Sequence, residues 1–260
     1  MDKPLAGRVA LVTGATRLRG IGAAIAHALA EDGASLLLHV YRPYDAARPW
    51  GVGADEPERL AAELAARALV ETRELDLALP DSTRALVGHA VARFGRLDIL
   101  VNNAACSEMG DLARLDAAQL DRHYAVNLRA PALLCREFAR VQRGPGGCIV
   151  NLSSGQGLGP MPEEIAYAAT KGGLEALTSS LAPWLAARGI RIFAVDPGPT
   201  DTGWMSDAQR AELACLSQDG RVGTPDDVAR VVRALVKGDA RDASGQVVRV
   251  RGVNRAAEER

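Results

Sequence analysis

The run RVALVTGATRLRGIG, residues 8–22, carries an apolar, strand-like stretch straight into a glycine-rich turn and then into a helix. Glycine at such a turn lets the backbone approach a diphosphate, which rests on the N-terminus of the helix that follows. Gly14, Gly20 and Gly22 are so placed, although the strict G-x-G-x-x-G spacing is absent. An ordinary glycine-rich turn between strand and helix reads the same way by itself. Strand ends further along tip the balance. Asp76 follows the third strand run and Asn102-Asn103-Ala104 the fourth, where an open sheet presents its carboxyl edge to a ligand. Together they point to a dinucleotide.

Outward from that turn, short aliphatic runs alternate with longer Ala/Leu/Arg-rich stretches, the pattern of βαβ units around a parallel sheet. Strands are expected at 8–13, 35–41, 70–76, 99–102, 148–152, 191–195 and 246–250. Helices are expected near 21–31, 57–68, 82–94, 117–141, 165–187 and 225–237. A chain of 260 residues fits one α/β domain spanning 1–260. Two segments break the rhythm. Residues 42–57, RPYDAARPWGVGADEP, are rich in Pro and Gly and read as an ordered loop or flap; residues 203–220 hold a short helical run between flexible ends, as a lid does.

Composition narrows the classes of function. With 48% hydrophobic and only 4% aromatic residues, the core should be Ala, Val and Leu. The net charge is −1 and the signs are interspersed, so no nucleic-acid or membrane field is expected. Cys106, Cys135, Cys148 and Cys215 lie far apart without zinc spacing, and are expected reduced and mostly buried. His27, His39, His89 and His123 are scattered, so they read as structural and no metal site is expected. The N-terminal run lacks signal-peptide architecture and no apolar run approaches membrane-spanning length; the expectation is a soluble cytoplasmic protein.

Chemistry concentrates in SGQGLGPMPEEIAYAATK, residues 154–171. Tyr167 and Lys171 are four apart in a helical stretch and share one face. An ammonium beside a phenol favours phenolate and should draw its pKa down from about 10. Tyr-x-x-x-Lys is common by chance, but only three lysines stand among the chain's 31 basic residues. A surface cation here would have been Arg, whereas a site needing a compact ammonium resists that exchange. Ser154, thirteen positions before Tyr167, can hold a carbonyl oxygen before the phenol. The trio reads as general-acid machinery for reducing a ketone. The neighbouring Glu163-Glu164 reads as a solvated helix start, where negative charge is favourable.

TGATRLRGIG, Asp76-Leu77, VNNAA, Asn127 in HYAVN, Ser154, YAATK and DPGPTDT, in that order, resemble the short-chain dehydrogenase/reductase family, and within it the 3-oxoacyl-carrier-protein-reductase-like branch. The resemblance implies a single Rossmann-type three-layer α/β sandwich with a seven-stranded parallel sheet. It implies Tyr167 as general acid, Ser154 on the substrate oxygen, Lys171 on the nicotinamide ribose, and Asn127 supporting a proton relay to Lys171. The cofactor would lie on Gly14, Thr16, Arg17, Gly20, Ile21 and Gly22, with Asp76 and Leu77 flanking the adenine and Asn103 near its ribose. Pro197, Gly198, Thr200 and Thr202 would meet the carboxamide end. The substrate would be a small carbonyl compound or alcohol, its pocket built from 106–108, 155–161 and 203–216. Pairing of the helices near 117–141 and 165–187 would give a homodimer or homotetramer.

NAD-preferring relatives carry an acidic residue at the end of the second strand. Here that place falls on Val40 or Tyr41, with Arg42 next, and Arg17 comes from the first turn; two guanidiniums and no carboxylate imply NADP(H). The alternative is NAD(H), with Asp45 folded back into the acidic role. Departures from the family pattern are five residues rather than three between Gly14 and Gly20, Ala105 in place of Gly, no Asp-Gly-Gly in VRVRGVNR, and the long 42–57 loop with Trp50. Competing functions are an enoyl reductase on the same scaffold, against which Ser154 and the Tyr-x-x-x-Lys spacing argue, and a non-catalytic dinucleotide-binding regulatory protein.

Overall fold

A computed structural model of the chain describes residues 3–144, 146–157, 159–217, 219–238 and 243–250. Position 158 of the expected pocket, position 218 of the expected lid and residues 251–255 of VRVRGVNR lie outside the described residues.

Seven strands form one sheet: β1 (Val9–Thr13), β2 (Ser35–Val40), β3 (Val70–Glu74), β4 (Ile99–Asn102), β5 (Gly147–Leu152), β6 (Ile190–Asp196) and β7 (Val247–Arg249), in the order β3-β2-β1-β4-β5-β6-β7. Every neighbouring pair is parallel. The five inner strands are apolar along most of their length because parallel strands are covered on both faces. Alternate residues serve opposite layers. Ala10 and Val12 of β1 join Leu36, Leu38, Val101 and Val195 in one cluster, while Val9 and Leu11 join Leu37, Leu100, Ile149 and Ile192 in the other. The first layer is closed by α1 (Ile21–Glu31), α3 (Glu56–Ala65) and α9 (Pro225–Lys237), through Ile25, Leu29, Leu60, Leu64, Val228 and Val232. The second is closed by α4 (Pro80–Phe94), α6 (Ala130–Val141) and α7 (Ile165–Ala186), through Leu86, Val87, Leu134, Phe138 and Leu185.

Two elements differ from the sequence reading. The expected helix over 117–141 is broken: α5 (Ala117–Tyr124) passes into one wide π-turn, Ala125–Arg129, before α6. Pro131 at the start of α6 has no N–H to give to the carbonyl of Asn127 four residues back, so the regular ladder cannot run through this point. Within 42–57 a short helix, α2 (Arg42–Ala46), follows β2 directly. The lid segment carries α8 (Asp207–Leu216), started by a capping box between Ser206 and Gln209. No helix among the described residues is long and apolar enough to cross a membrane.

The chain leaves β1 towards β2 and β3, then returns to β4 on the other side of β1. The loops after β1 and β4 therefore diverge, opening the crevice at the carboxyl edge where open α/β sheets take ligands.

Candidate active site

The turn after β1 is built so tightly that only glycine fits. Gly14 has φ 71°, and a Cβ there would meet the Ala104 backbone at 2.8 Å; a Cβ on Gly22 would lie 2.5 Å from the Gly14 carbonyl oxygen. Asn103, expected near the adenine ribose, props this turn: its amide donates to the carbonyls of Thr13 at 2.8 Å and Gly14 at 3.0 Å. Thr13 Oγ1 accepts from the Asn103 and Ala104 amides, each at 3.0 Å. Buried His39 completes the scaffold, with Nδ1 accepting from Gly14 N–H at 3.2 Å and Nε2 donating to the Leu75 carbonyl at 2.8 Å. Behind the turn, α1 starts at Gly20 and Ile21 with no side-chain cap and no acidic residue in its first turn. Its first amides have no helical partner, and the macrodipole is positive there. This cradle of glycine and uncapped amides fits a diphosphate, and hence a dinucleotide.

Across the crevice, α7 presents Tyr167 and Lys171 one turn apart. Ser154 lies close enough to Tyr167 for its hydroxyl to favour the phenolate, while neighbouring Ser153 is buried. The expectation that Lys171 depresses the Tyr167 pKa is not met. Burial pushes the phenol above its ordinary value, opposed by Ser154 and reinforced by Glu164. The ammonium is turned to the end of β5, where Nζ donates to the Leu152 carbonyl at 2.6 Å, and it lies 5.5 Å from the Tyr167 ring centre. Burial lowers its own pKa to about 8. Desolvation of both groups outweighs their proximity.

Asn127 sits in the π-turn, fully buried. Its amide is spent on the loop after β4: Oδ1 accepts from Cys106 N–H at 2.7 Å and Nδ2 donates to the Cys106 carbonyl at 2.8 Å and to Thr170 Oγ1 at 3.1 Å. The same loop is pinned by His123 Nε2, which accepts from Glu108 N–H at 3.1 Å, and by Glu164, which accepts from Ser107 Oγ at 3.1 Å.

The segment 42–57 forms a strap over the crevice. At one end it meets the glycine-rich turn. Tyr41 N–H donates to Thr16 Oγ1 at 3.1 Å, the Arg17 guanidinium lies 5.7 Å from the Trp50 ring centre, and Glu56 accepts from Leu18 N–H at 2.7 Å. At the other end the Tyr44 hydroxyl binds both backbone groups of Ser107, and Arg48 pairs with Glu108 at 3.0 Å. The sequence reading missed Tyr44 and Glu56 and placed Glu108 only as part of the expected pocket, because their partners lie far away in the chain and no local pattern marks them.

The expected phosphate clamp is corrected in part. Arg42 is held by Glu58 and Glu74, so it is not a free guanidinium. Arg17 donates to the Thr202 carbonyl at 2.8 Å and stands beside Asp45, whose carboxylate accepts from Trp50 Nε1 at 3.2 Å and is pushed upward in pKa by burial. Tyr41 donates to Asp76 at 3.2 Å, and Leu77 is buried. The turn after β6 is shaped by Asp196, which accepts from Gly198 N–H at 2.9 Å, and by Thr200, whose hydroxyl donates back to the Pro197 carbonyl at 3.2 Å. Among the described residues no group of three or more His, Cys, Asp and Glu side chains is placed to hold a metal ion.

A family model described as enoyl-(acyl carrier protein) reductase matches residues 14–252. The chain is 40% identical over 250 residues to an uncharacterized oxidoreductase, YjdA, of Bacillus subtilis (strain 168), covering 94% of this chain and 96% of the relative. It is 33% identical over 249 residues to the 3-oxoacyl-[acyl-carrier-protein] reductase FabG of Staphylococcus aureus (strain N315), covering 94% and 96%. Among solved structures, the angucycline C-6 ketoreductase LanV with bound NADP superposes with a TM-score of 0.85 at 32% identity, over 96% of both chains. The sheet order, the glycine cradle and these likenesses along nearly the whole chain agree: the chain belongs to the short-chain dehydrogenase/reductase family of oxidoreductases.

Proposed function

We propose that this protein interconverts a ketone and a secondary alcohol at the expense of NADP(H), with Tyr167 as general acid and base, within a single dinucleotide-binding domain. The observation that carries the reading is the Ser154–Tyr167 hydroxyl pair one helical turn from buried Lys171, facing an uncapped glycine cradle across the sheet edge. A bound nicotinamide would supply or accept the hydride. Tyr167, whose pKa is raised by burial, holds its proton until a carbonyl oxygen gains negative charge, and then releases it to that oxygen. Ser154 donates a second hydrogen bond to the same oxygen and fixes it before the phenol. Lys171, charged below about pH 8, is the cation available to bind ribose hydroxyls. Gly14, Gly20, Ile21 and Gly22 would hold the diphosphate, with Pro197, Gly198, Thr200 and Thr202 at the nicotinamide end.

Support for NADP(H) comes from Arg17, from the absence of a carboxylate at Val40 and Tyr41, and from the NADP bound to LanV. NAD(H) has one observation in its favour, the carboxylate of Asp45 beside Arg17. The description of the family model names enoyl reduction, but a hydroxyl pair positioned for an oxygen supports carbonyl reduction instead. The test is Tyr167→Phe, which keeps the ring. NADPH binding should survive while turnover of a ketone panel falls by about 10²–10⁴-fold. Near-wild-type turnover in the variant, or wild-type activity on enones and none on ketones, would refute the reading.

A further inference from the structure

The strap 42–57 makes contact with both halves of the site, and Tyr44 is the side chain through which it holds Ser107 in the loop after β4. The Tyr44 hydroxyl accepts from Ser107 N–H at 2.8 Å and donates to the Ser107 carbonyl at 3.1 Å, so a single phenol satisfies both backbone groups of that residue. Burial raises its pKa, which keeps the donor proton in place. The Arg48 guanidinium lies 4.4 Å from the Tyr44 ring centre and is itself fixed by Glu108, which Arg122 also holds at 2.8 Å. Cys106 is bonded by Asn127 and Glu108 by His123, and between them the backbone of Ser107 is bonded by Tyr44. The Ser107 hydroxyl reaches on to Glu164, the residue immediately before the helix that carries Tyr167. At its other end the strap is tied to the glycine-rich turn through Thr16, Arg17 and Leu18.

We propose that Tyr44 is a positioning residue: it holds loop 106–108 in register with Tyr167, and through the strap it makes that register depend on what occupies the glycine-rich turn. The inference rests on the reading above, that the turn takes a dinucleotide and Tyr167 serves a carbonyl. A ligand that orders the turn also orders the strap end seated on it, and the Tyr44 phenol passes that order to Ser107. Removing the phenolic oxygen leaves the ring and the Arg48 stack in place but cuts the link. The cost falls on substrate fit, not on the chemical step.

Two measurements on the full chain test this. In hydrogen–deuterium exchange, NADP⁺ should slow exchange over 14–22 and over 104–109 in the wild type, and over 14–22 alone in Tyr44→Phe. In steady-state reduction of ethyl acetoacetate by NADPH, Tyr44→Phe should raise KM for the ketone about tenfold, the scale of one net hydrogen bond. Both kcat and the dissociation constant for NADPH should stay within about twofold. Arg48→Met, which keeps the phenol, should move KM the same way by a smaller factor. Protection of 104–109 that persists in Tyr44→Phe, or an unchanged KM, or a fall in kcat at unchanged KM, overturns the proposal. Absence of wild-type protection over 14–22 sinks the dinucleotide reading, and this inference with it; absence over 104–109 alone sinks only this inference.

Discussion

Acidification should loosen the protein through one side chain, His39. Its imidazole is buried at the end of β2, and burial lowers its pKa from 6.5 to about 4. Both ring nitrogens are used in the neutral form, and protonation of Nδ1 destroys the acceptor for Gly14 N–H. The folded state thus binds this proton more weakly than the unfolded chain does. Stability is full above the unfolded value of 6.5 and is lost as the pH falls from there towards 4. At about 1.4 kcal/mol per pH unit, the whole interval is worth about 3 kcal/mol, of which about 2 is lost by pH 5. That is a large share of an ordinary domain's stability. The comparison is urea unfolding of wild type and His39→Gln at about pH 7.5 and about pH 5. The glutamine amide can still donate to Leu75 but does not titrate, so it is the less stable protein at the higher pH. The gap between the two should shrink by about 2 kcal/mol at the lower pH, with the carboxylates and other histidines cancelling in the difference. A gap that stays constant would refute a buried neutral His39.

Gly22→Ala should weaken NADPH binding at least tenfold in a fluorescence titration, because its Cβ would lie 2.5 Å from the Gly14 carbonyl oxygen; unchanged affinity would show that the cradle does not hold the diphosphate. In kcat/KM measurements NADPH should be preferred over NADH, Arg17→Ala should shrink that preference about tenfold, and Arg42→Ala should leave it within about twofold because Glu58 and Glu74 already hold Arg42. A wild-type preference for NADH overturns the cofactor assignment and favours Asp45 as the discriminating carboxylate. The protein should be a homodimer or homotetramer by light scattering, through the face bearing exposed Leu120, Tyr124 and Trp184 and the groove lined by Leu128, Leu133, Gly173 and Leu177; a monomer at micromolar concentration refutes this.

What the sequence made legible was local or repetitive. The inner strands VALVT, SLLLHV and GCIVNL read as apolar runs because both faces are covered, and the edge strand VETRE, which is partly exposed, was found by its place in the alternation. Tyr167 and Lys171 could be put on one helix face from spacing alone. The direction of the Tyr167 pKa could not, since it is decided by burial that spacing does not reveal. Likewise the break in the helix over 117–141 hinged on Pro131 in an otherwise strongly helical stretch. The pairing of Arg42 was not legible either, because its carboxylate partners lie 16 and 32 residues away. The Tyr44–Ser107 contact spans 63 residues and has no local signature at all.

Two departures from the family pattern, which look unrelated in the sequence, turn out to be one structure. The first turn has five residues between Gly14 and Gly20, and the segment after β2 runs over 42–57. Of the turn residues, Leu18 gives its amide to Glu56 of the strap, and Arg17 places its guanidinium against Trp50 of the strap. The flanking Thr16 hydroxyl accepts from Tyr41 where the strap begins. The turn therefore serves as an anchor for the strap, while α1 behind it starts with no side-chain cap and no acidic residue in its first turn. Shortening either segment alone would strand polar groups of the other. Restoring three residues to the turn would leave the Glu56 carboxylate with Gly53 N–H alone, and trimming the loop would leave the Leu18 amide without its acceptor. The turn and the strap hold each other in place, so a deletion in either alone should lower the urea midpoint more than the matched pair of deletions does, and equal midpoints would refute the coupling.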